Sequence, residues 1–266
     1  MKRINIICII TVLLLFITAS CTKVIDLKLG DKTGELVIEA NIVNTDGPQV
    51  VQLSRNVPFT STNTYPAVSG ATVVITDDEN TDVVLDEGPA GFYSAAQFTG
   101  TPGKTYHLSV TTDGKVYKAT STMPRPVTLD SVSTTDSQFN KGKNQKVLTV
   151  HFSDPPNIAN QYRFILYVNS VQVKTIFAFD DDFSDGRNVN IDLFENDIDI
   201  FPGDVVSIEM ECIDKPVYTY WFTQQQQQAN NPGGGVAPSN PPTNITPTTL
   251  GYFSAHTTQR LTFVVR

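Results

Sequence analysis

Short runs of β-forming residues recur through most of this chain, with turn-forming residues between them. Within the first run, Leu36, Ile38 and Ala40 alternate with more polar neighbours, which is the pattern of a half-buried strand. Asp113-Gly114 joins the last two runs and indicates a hairpin. Seven such runs predict a β-sandwich of immunoglobulin-like build over residues 35–123: Glu35–Val43, Gln49–Val57, Ala71–Asp77, Thr81–Asp86, Gly91–Gln97, Thr105–Thr112 and Lys115–Thr122.

A proline-rich segment, Met123-Pro124-Arg125-Pro126, separates these runs from a second series. Proline cannot donate a hydrogen bond to a sheet, so the segment predicts a domain boundary. A second β-rich domain is then expected over residues 127–266, which makes the chain all-β with two sandwich-like domains. Its predicted strands are Val127–Thr134, Lys146–Phe152, Gln161–Val168, Val171–Phe179, Asn188–Leu193, Val205–Cys212 and Leu261–Val265.

One segment of the second domain departs from the β pattern. It begins at Lys215 with Pro216 close behind, continues through four aromatic residues, and ends in five glutamines. This composition predicts a short helix at about residues 216–229, with the aromatic part packed. Residues 230–249 are rich in Asn, Pro, Gly and Thr and predict a long loop of the kind that often carries function.

The first twenty residues have the composition of an export signal. A basic start and an apolar stretch that reaches Ile17 are followed by Thr18-Ala19-Ser20, small residues that fit a cleavage site. The following Cys21 stands where a lipoprotein signal peptidase cuts and diacylglycerol is attached. We therefore expect a signal peptide over 1–20, lipidation of Cys21 and a tether over 21–34. The alternative is an ordinary secretory signal with an incidental cysteine.

The charge of the chain argues against one class of partner, and its cysteine content argues against a structure held by disulfides. Without residues 1–20, the chain keeps 246 residues, with 27 acidic and 17 basic side chains, because Lys2 and Arg3 are removed; its net charge is −10. Nucleic-acid binding needs a basic surface, so no nucleic-acid partner is expected. Cys212 is then the one cysteine besides the acylated one, and its alternation with Val206, Ile208 and Met210 predicts a buried strand thiol.

An acidic run forms a candidate calcium site, with Asp180, Asp182 and Asp185 as its ligands. Calcium prefers several converging oxygens. When Gly186 takes the sixth position of a regular calcium loop, however, Phe183 stands where the third position needs an oxygen. An irregular site and a solvated hairpin loop both remain open.

No catalytic motif is present, so the chain is not expected to be an enzyme. It contains no nucleophile elbow, no zinc-protease helix and no phosphate-binding loop, and His107, His151 and His256 lie on different predicted strands. A paired-carboxylate glycan or peptide hydrolase is the less favoured alternative.

Two further site predictions concern binding and modification. An aromatic group in the predicted helix could form a platform for a sugar or peptide, or could pack one helix face against the sheet. Ser131 lies in Asp130-Ser131-Val132, which is similar to a short O-glycosylation signal of secreted Bacteroidota proteins. The aromatic residues are Tyr218, Tyr220, Trp221 and Phe222.

Nine short segments follow one another in a characteristic order from Cys21 to the C-terminus. They are Cys21–Leu27, Leu36–Ala40, Val51–Arg55, Val68–Ala71, Gly91–Tyr93, Pro102–Tyr106, Met123-Pro124 with Leu129–Val132, Asn240–Ile245 and Leu250–Ala255. Together they resemble the Bacteroidota lipoprotein family catalogued as domain of unknown function 4249.

This resemblance implies an outer-membrane lipoprotein, often a companion of TonB-dependent transporters, and it supplies no catalytic residues. We therefore expect a lipid-anchored binding or accessory module that partners a TonB-dependent receptor. An adhesive or envelope-scaffolding lipoprotein is the alternative. The residues after Cys21 do not distinguish the periplasmic face of the membrane from the cell surface.

Overall fold

The chain was characterised as a computed structural model that describes residues 33–58, 61–62, 64–138, 144–195, 197–228 and 239–266. The predicted signal peptide, Cys21 and all but the last two tether residues lie outside these ranges, as do residues 230–238 of the predicted loop. Thr33–Arg266 clusters as one unit by its backbone contacts.

The described residues form sixteen strands and one helix, so the predicted all-β, sandwich-like class is confirmed. The elements are β1 (Leu36–Val43), β2 (Gln49–Arg55), β3 (Thr72–Asp77), β4 (Asp82–Glu87), β5 (Phe92–Ala95), β6 (Thr105–Thr112), β7 (Lys115–Thr122), β8 (Leu129–Asp136), β9 (Lys146–Ser153), β10 (Gln161–Val168), β11 (Val171–Gln172), β12 (Phe177–Asp180), β13 (Asn188–Leu193), β14 (Val205–Ile213), α1 (Lys215–Gln228), β15 (Ile245–Thr246) and β16 (Leu250–Val264).

Among the described residues, the strands form one large sheet and one small sheet. The large sheet has the order β11-β10-β14-β16-β1-β2-β5-β4-β3-β6-β7-β15, with β12 also paired to β10, and the small sheet has the order β13-β9-β8. Alternation along β1 places Leu36, Ile38, Ala40 and Ile42 on one fully buried face, as the sequence predicts. In the second half, Phe152 of the small sheet packs against Phe164 of the large sheet, with ring centroids 6.1 Å apart.

Two large apolar cores lie on either side of the predicted proline boundary. One consists mainly of residues from β1 to β7, and the other of residues between Val127 and Val265. The predicted strand Val171–Phe179 of the second domain is divided into β11 and β12. The predicted second domain also differs from the structure because Ile245, Phe253 and Ala255 belong to the first core.

Strand β16 produces this difference because it enters both cores. Residues 250–256 pair in parallel with β1, and residues 257–264 pair antiparallel with β14. A strand of this length spans about 50 Å. The sequence predicts only Leu261–Val265 as a strand, because the polar residues from His256 to Arg260 interrupt the apolar pattern that marks the first part.

Gly251 allows β16 to approach β1 closely. Its φ of +95° favours glycine, and a Cβ at this position would lie 2.0 Å from the carbonyl oxygen of Ile38. Gly103 has a similar φ of +90° but has no atom within 4 Å of such a Cβ. The two glycines therefore share a backbone conformation, but only Gly251 lies against a neighbouring strand.

We expect Gly251→Ala to destabilise the protein much more than Gly103→Ala. The matched control carries the positive-φ cost of about 1–2 kcal/mol, whereas Gly251→Ala must also displace the β1 backbone and should reduce the free energy of unfolding by about 3 kcal/mol or more. Thermal and urea unfolding of both variants tests this. Equal losses would show that the approach of β16 to β1 is not under steric constraint.

Candidate functional site

Helix α1 begins at an aspartate that also binds the first half of the molecule. One carboxylate oxygen of Asp214 accepts the Val217 N–H at 3.1 Å, which caps the helix. The other accepts hydrogen bonds from Ser121 Oγ at 2.7 Å and from the Thr122 N–H at 3.1 Å. Burial raises the pKa of Asp214, although these donors lower it in part. The capping residue therefore fixes the helix start to the end of β7.

The predicted aromatic residues do not all share one environment. Tyr218 is buried, and its ring stacks on the more exposed Phe222 at 5.3 Å. Tyr220 and Trp221 instead pack on Tyr252 of β16, at 5.0 and 5.2 Å between centroids. These contacts correspond to the packing alternative for three of the four residues. Their role in ligand binding stays a prediction.

A group of charged side chains lies beneath this helix, on the face of the large sheet that carries Glu39 and Tyr252. The guanidinium of Arg163 lies 3.6 Å from the centroid of the Trp221 ring and 2.9 Å from a carboxylate oxygen of Glu211. The other oxygen of Glu211 lies 3.5 Å from His256 Nε2. We call Arg163, Glu211 and His256 the buried charge group. Adjacent strands bring them together, since Arg163 on β10 is opposite Glu211 on β14.

Burial and charge act in opposite directions on these groups. Burial raises the pKa of Glu211, but Arg163 and His256 lower it by more, so its pKa lies below the ordinary value of 4.5. Burial lowers the pKa of His256, and the positive charge of Arg163 reinforces that decrease against the opposing effect of Glu211. At neutral pH His256 is therefore neutral, and Arg163 with Glu211 is the ion pair.

A second group of acids lies at one end of the second core. Asp154, Asp181 and Asp185 each have a carboxylate oxygen within 4.8 Å of the others, and the first two are buried. Asp154 accepts hydrogen bonds from the Tyr162 hydroxyl and from the Gly186 N–H. Burial raises the pKa of Asp181, and the charges of the other two acids raise it further.

The structure thus groups Asp185 with acids other than those that the sequence predicts. Asp180 ends β12, and its carboxylate lies 3.3 Å from Lys215 Nζ, away from the cluster. Asp182 does not join the cluster either, whereas Asp154 comes from the end of β9, about thirty residues earlier. Local spacing could not reveal that contact. Three carboxylates at this distance are ligands that Ca²⁺ prefers, so these residues could hold a calcium ion.

A cavity of about 560 Å³ lies between the two cores. Its walls come from the proline-rich segment at residues 123–127, from the loop between β9 and β10, and from the start of α1. Its size is typical of small-molecule sites, which are mostly apolar with a few polar groups. The lining residues are Gly103, Thr122, Met123, Pro124, Arg125, Pro126, Val127, Pro155, Ile158, Ala159, Asn160, Gln161, Ile213, Asp214 and Lys215.

The remaining predicted positions have distinct environments. Ser131 is exposed on β8, an edge strand of the small sheet, so an enzyme could reach it. Cys212 is a free thiol on the buried face of β14, as predicted, and its sulfur accepts the Val127 N–H at 3.4 Å. Burial raises the pKa of this thiol, which makes it a poor nucleophile.

Comparison with known protein families shows to which family the chain belongs. A family model described as a domain of unknown function, DUF4249, matches residues 22–262. The chain belongs to the DUF4249 family. No curated protein matches the chain. In the described part of this DUF4249 protein, no helix has both the length and the apolar character needed to cross a bilayer.

Replacing Glu211 should test the energetic importance of the buried charge group. Glu211→Gln leaves the guanidinium of Arg163 buried without a compensating charge, so we expect a loss of about 3 kcal/mol in the free energy of unfolding at pH 7. The matched control is Glu209→Gln, on the same strand, whose partner Arg260 is half-exposed; it should lose about 1 kcal/mol or less. Urea unfolding of both variants provides the comparison.

The effect of Glu211 should also depend on pH. Because its pKa is lowered in the folded protein, its contribution to stability is complete above about pH 4.5 and is lost as pH falls through the folded value. We expect the difference in midpoint between wild type and Glu211→Gln to shrink below pH 4.5. If the difference in midpoint stayed constant down to pH 3, the ion pair between Arg163 and Glu211 would not be the cause of the difference.

Proposed function

We propose that this DUF4249 protein is a lipid-anchored binding and accessory module of the outer membrane that works with a TonB-dependent transporter and performs no catalysis. The single observation that supports a binding role most directly is the cavity between the two cores. A concave site with apolar walls and a few polar groups is the usual form of a small-molecule pocket.

The membrane attachment is inferred from the sequence around Cys21. The N-terminal amino acid of such a lipoprotein carries several acyl chains, each of which contributes about 0.8 kcal/mol of binding for every buried methylene group. A tether then links the lipid to β1, which begins at Leu36. The association with a transporter is supported by the resemblance to lipoproteins that accompany TonB-dependent receptors.

Acylation can be tested with a pair of cysteine variants. Cys21→Ser should abolish incorporation of labelled palmitate, because serine offers no thiol to which diacylglycerol can be attached. Cys212→Ser is the control, since that thiol is buried in β14 and should not be acylated. Continued labelling of Cys21→Ser would refute the proposed anchor.

The partner can be tested by affinity purification in mild detergent of the acylated protein, tagged after Arg266, from its own membranes. We expect co-purification of a TonB-dependent barrel in near-equal amount, and loss of that barrel with Cys21→Ser. Recovery of no partner would contradict the accessory role. If protease shaving of intact cells then removed the body, adhesion or envelope scaffolding would replace it.

A further inference from the structure

We propose that the cavity between the two cores binds a short apolar peptide and holds its free C-terminal carboxylate with Arg125. The proposal rests on the proposed function only in that both require a ligand-binding module; it does not need a transporter partner. Three features of the cavity support it: its apolar walls, a side-chain amide that opens onto the cavity without a hydrogen bond to a described residue, and a cation without a partner among the described residues.

The walls supply the apolar contacts. Pro124, Pro126 and Pro155 line the cavity and have no side-chain polar atoms. Ile158 lines it as well and is 53% exposed, so its side chain is available to contact a ligand. Because proline rings are rigid, these walls need little reordering when a ligand enters. The body of a fitting ligand is therefore apolar.

Gln161 provides an unused polar group. The residue is only 7% exposed and lines the cavity, yet its side chain forms no hydrogen bond with any residue that the structure describes. A ligand that fills the cavity would remove this amide from water, and an amide that is removed from water without a new hydrogen bond costs free energy. A side-chain amide offers a donor beside an acceptor, which is the complement of a peptide group. A bound peptide would satisfy both.

Arg125 provides an unused positive charge. Its exposed side chain lines the cavity, and it forms neither an ion pair nor a hydrogen bond within the described ranges. The other charged groups of the lining already have partners: Lys215 pairs with Asp180, and Asp214 accepts hydrogen bonds from three donors. A guanidinium binds a carboxylate through two parallel hydrogen bonds. The cavity is thus suited to a ligand with a free carboxylate.

A peptide fits this combination better than a simple fatty acid. An aliphatic chain would satisfy Arg125 and the apolar walls but would leave Gln161 without a hydrogen bond and remove it from water. A short peptide supplies all three contacts, and the cavity volume lies within the range of small-ligand sites.

Calorimetry on the full acylated protein in mild detergent, with empty micelles as blank, tests the proposal. The probes are the tripeptide Ala-Leu-Val, its C-terminal amide, and hexanoate. We expect the free tripeptide to bind and its amide to bind about tenfold more weakly, since the amide loses the charged contact. Hexanoate should bind more weakly than either peptide.

Three variants connect the binding to the named residues. Arg125→Gln should weaken binding of the free tripeptide about tenfold and abolish its advantage over the amide. Gln161→Leu should weaken both peptides alike. Lys118→Gln, a change at an exposed lysine of β7 outside the cavity, is the matched control and should leave binding unchanged. Melting temperatures establish that each variant folds. If Gln161→Leu does not fold, the proposal is tested by Arg125→Gln and by the comparison of the tripeptide with its C-terminal amide.

The proposal is overturned if neither peptide binds, if the acid and the amide bind equally, or if Arg125→Gln has no effect. It is also overturned if hexanoate binds as tightly as the tripeptide, since the site would then accept any aliphatic carboxylate. These outcomes are separate from failure of the proposed function, because the purification of a barrel partner uses no peptide and the calorimetry uses no barrel.

Discussion

The pairing of β16 with two different strands holds this molecule together. Its first half adds to β1, and its second half adds to β14. Through this one strand, Phe253 packs in the first core and Leu261 packs against the second. Close approach to β1 requires a residue without a side chain, and Gly251 meets that requirement. The two halves therefore share a strand that neither could complete alone.

The change of partner along β16 also explains where the buried charge group lies. His256 is the last residue of β16 that pairs with β1, and the strand then runs beside β14, which carries Glu211. Helix α1 covers this region with Trp221, whose ring stacks on Arg163. An ion pair removed from water is stable only when its partners remain in place. The helix, the sheet and the charge pair thus depend on one another.

The cavity lies where the chain passes from the first core to the second. The proline-rich segment leaves β7 and cannot extend the sheet, so it crosses between the two cores and forms one wall. Asp214 fixes the start of α1 to the end of β7 and so positions a second wall. A cavity between two apolar cores can exist before a ligand binds, because the packing of the cores holds its walls in place.

The sequence by itself determined the all-β class and the helix after β14. Each follows from a local signal: alternation of period two for the strands, and a run without that alternation for the helix. The division into two domains at the proline-rich segment stays a prediction. The identity of Cys212 as a buried thiol followed from the same alternation. The candidate calcium site could be predicted only in part, because Asp185 joins the acid cluster whereas Asp180 and Asp182 do not.

Only the tertiary structure decided which distant residues meet. Asp154 joins Asp181 and Asp185, and Arg163 meets Glu211, across separations in sequence that carry no periodic signal. The cavity likewise needs segments near residues 125, 158 and 214 to converge. Strand registry and core packing set such contacts, and both depend on the whole chain, whereas the pattern of a single strand depends on its own residues. The sequence could therefore specify the elements, whereas the tertiary packing of those elements brought the site residues together.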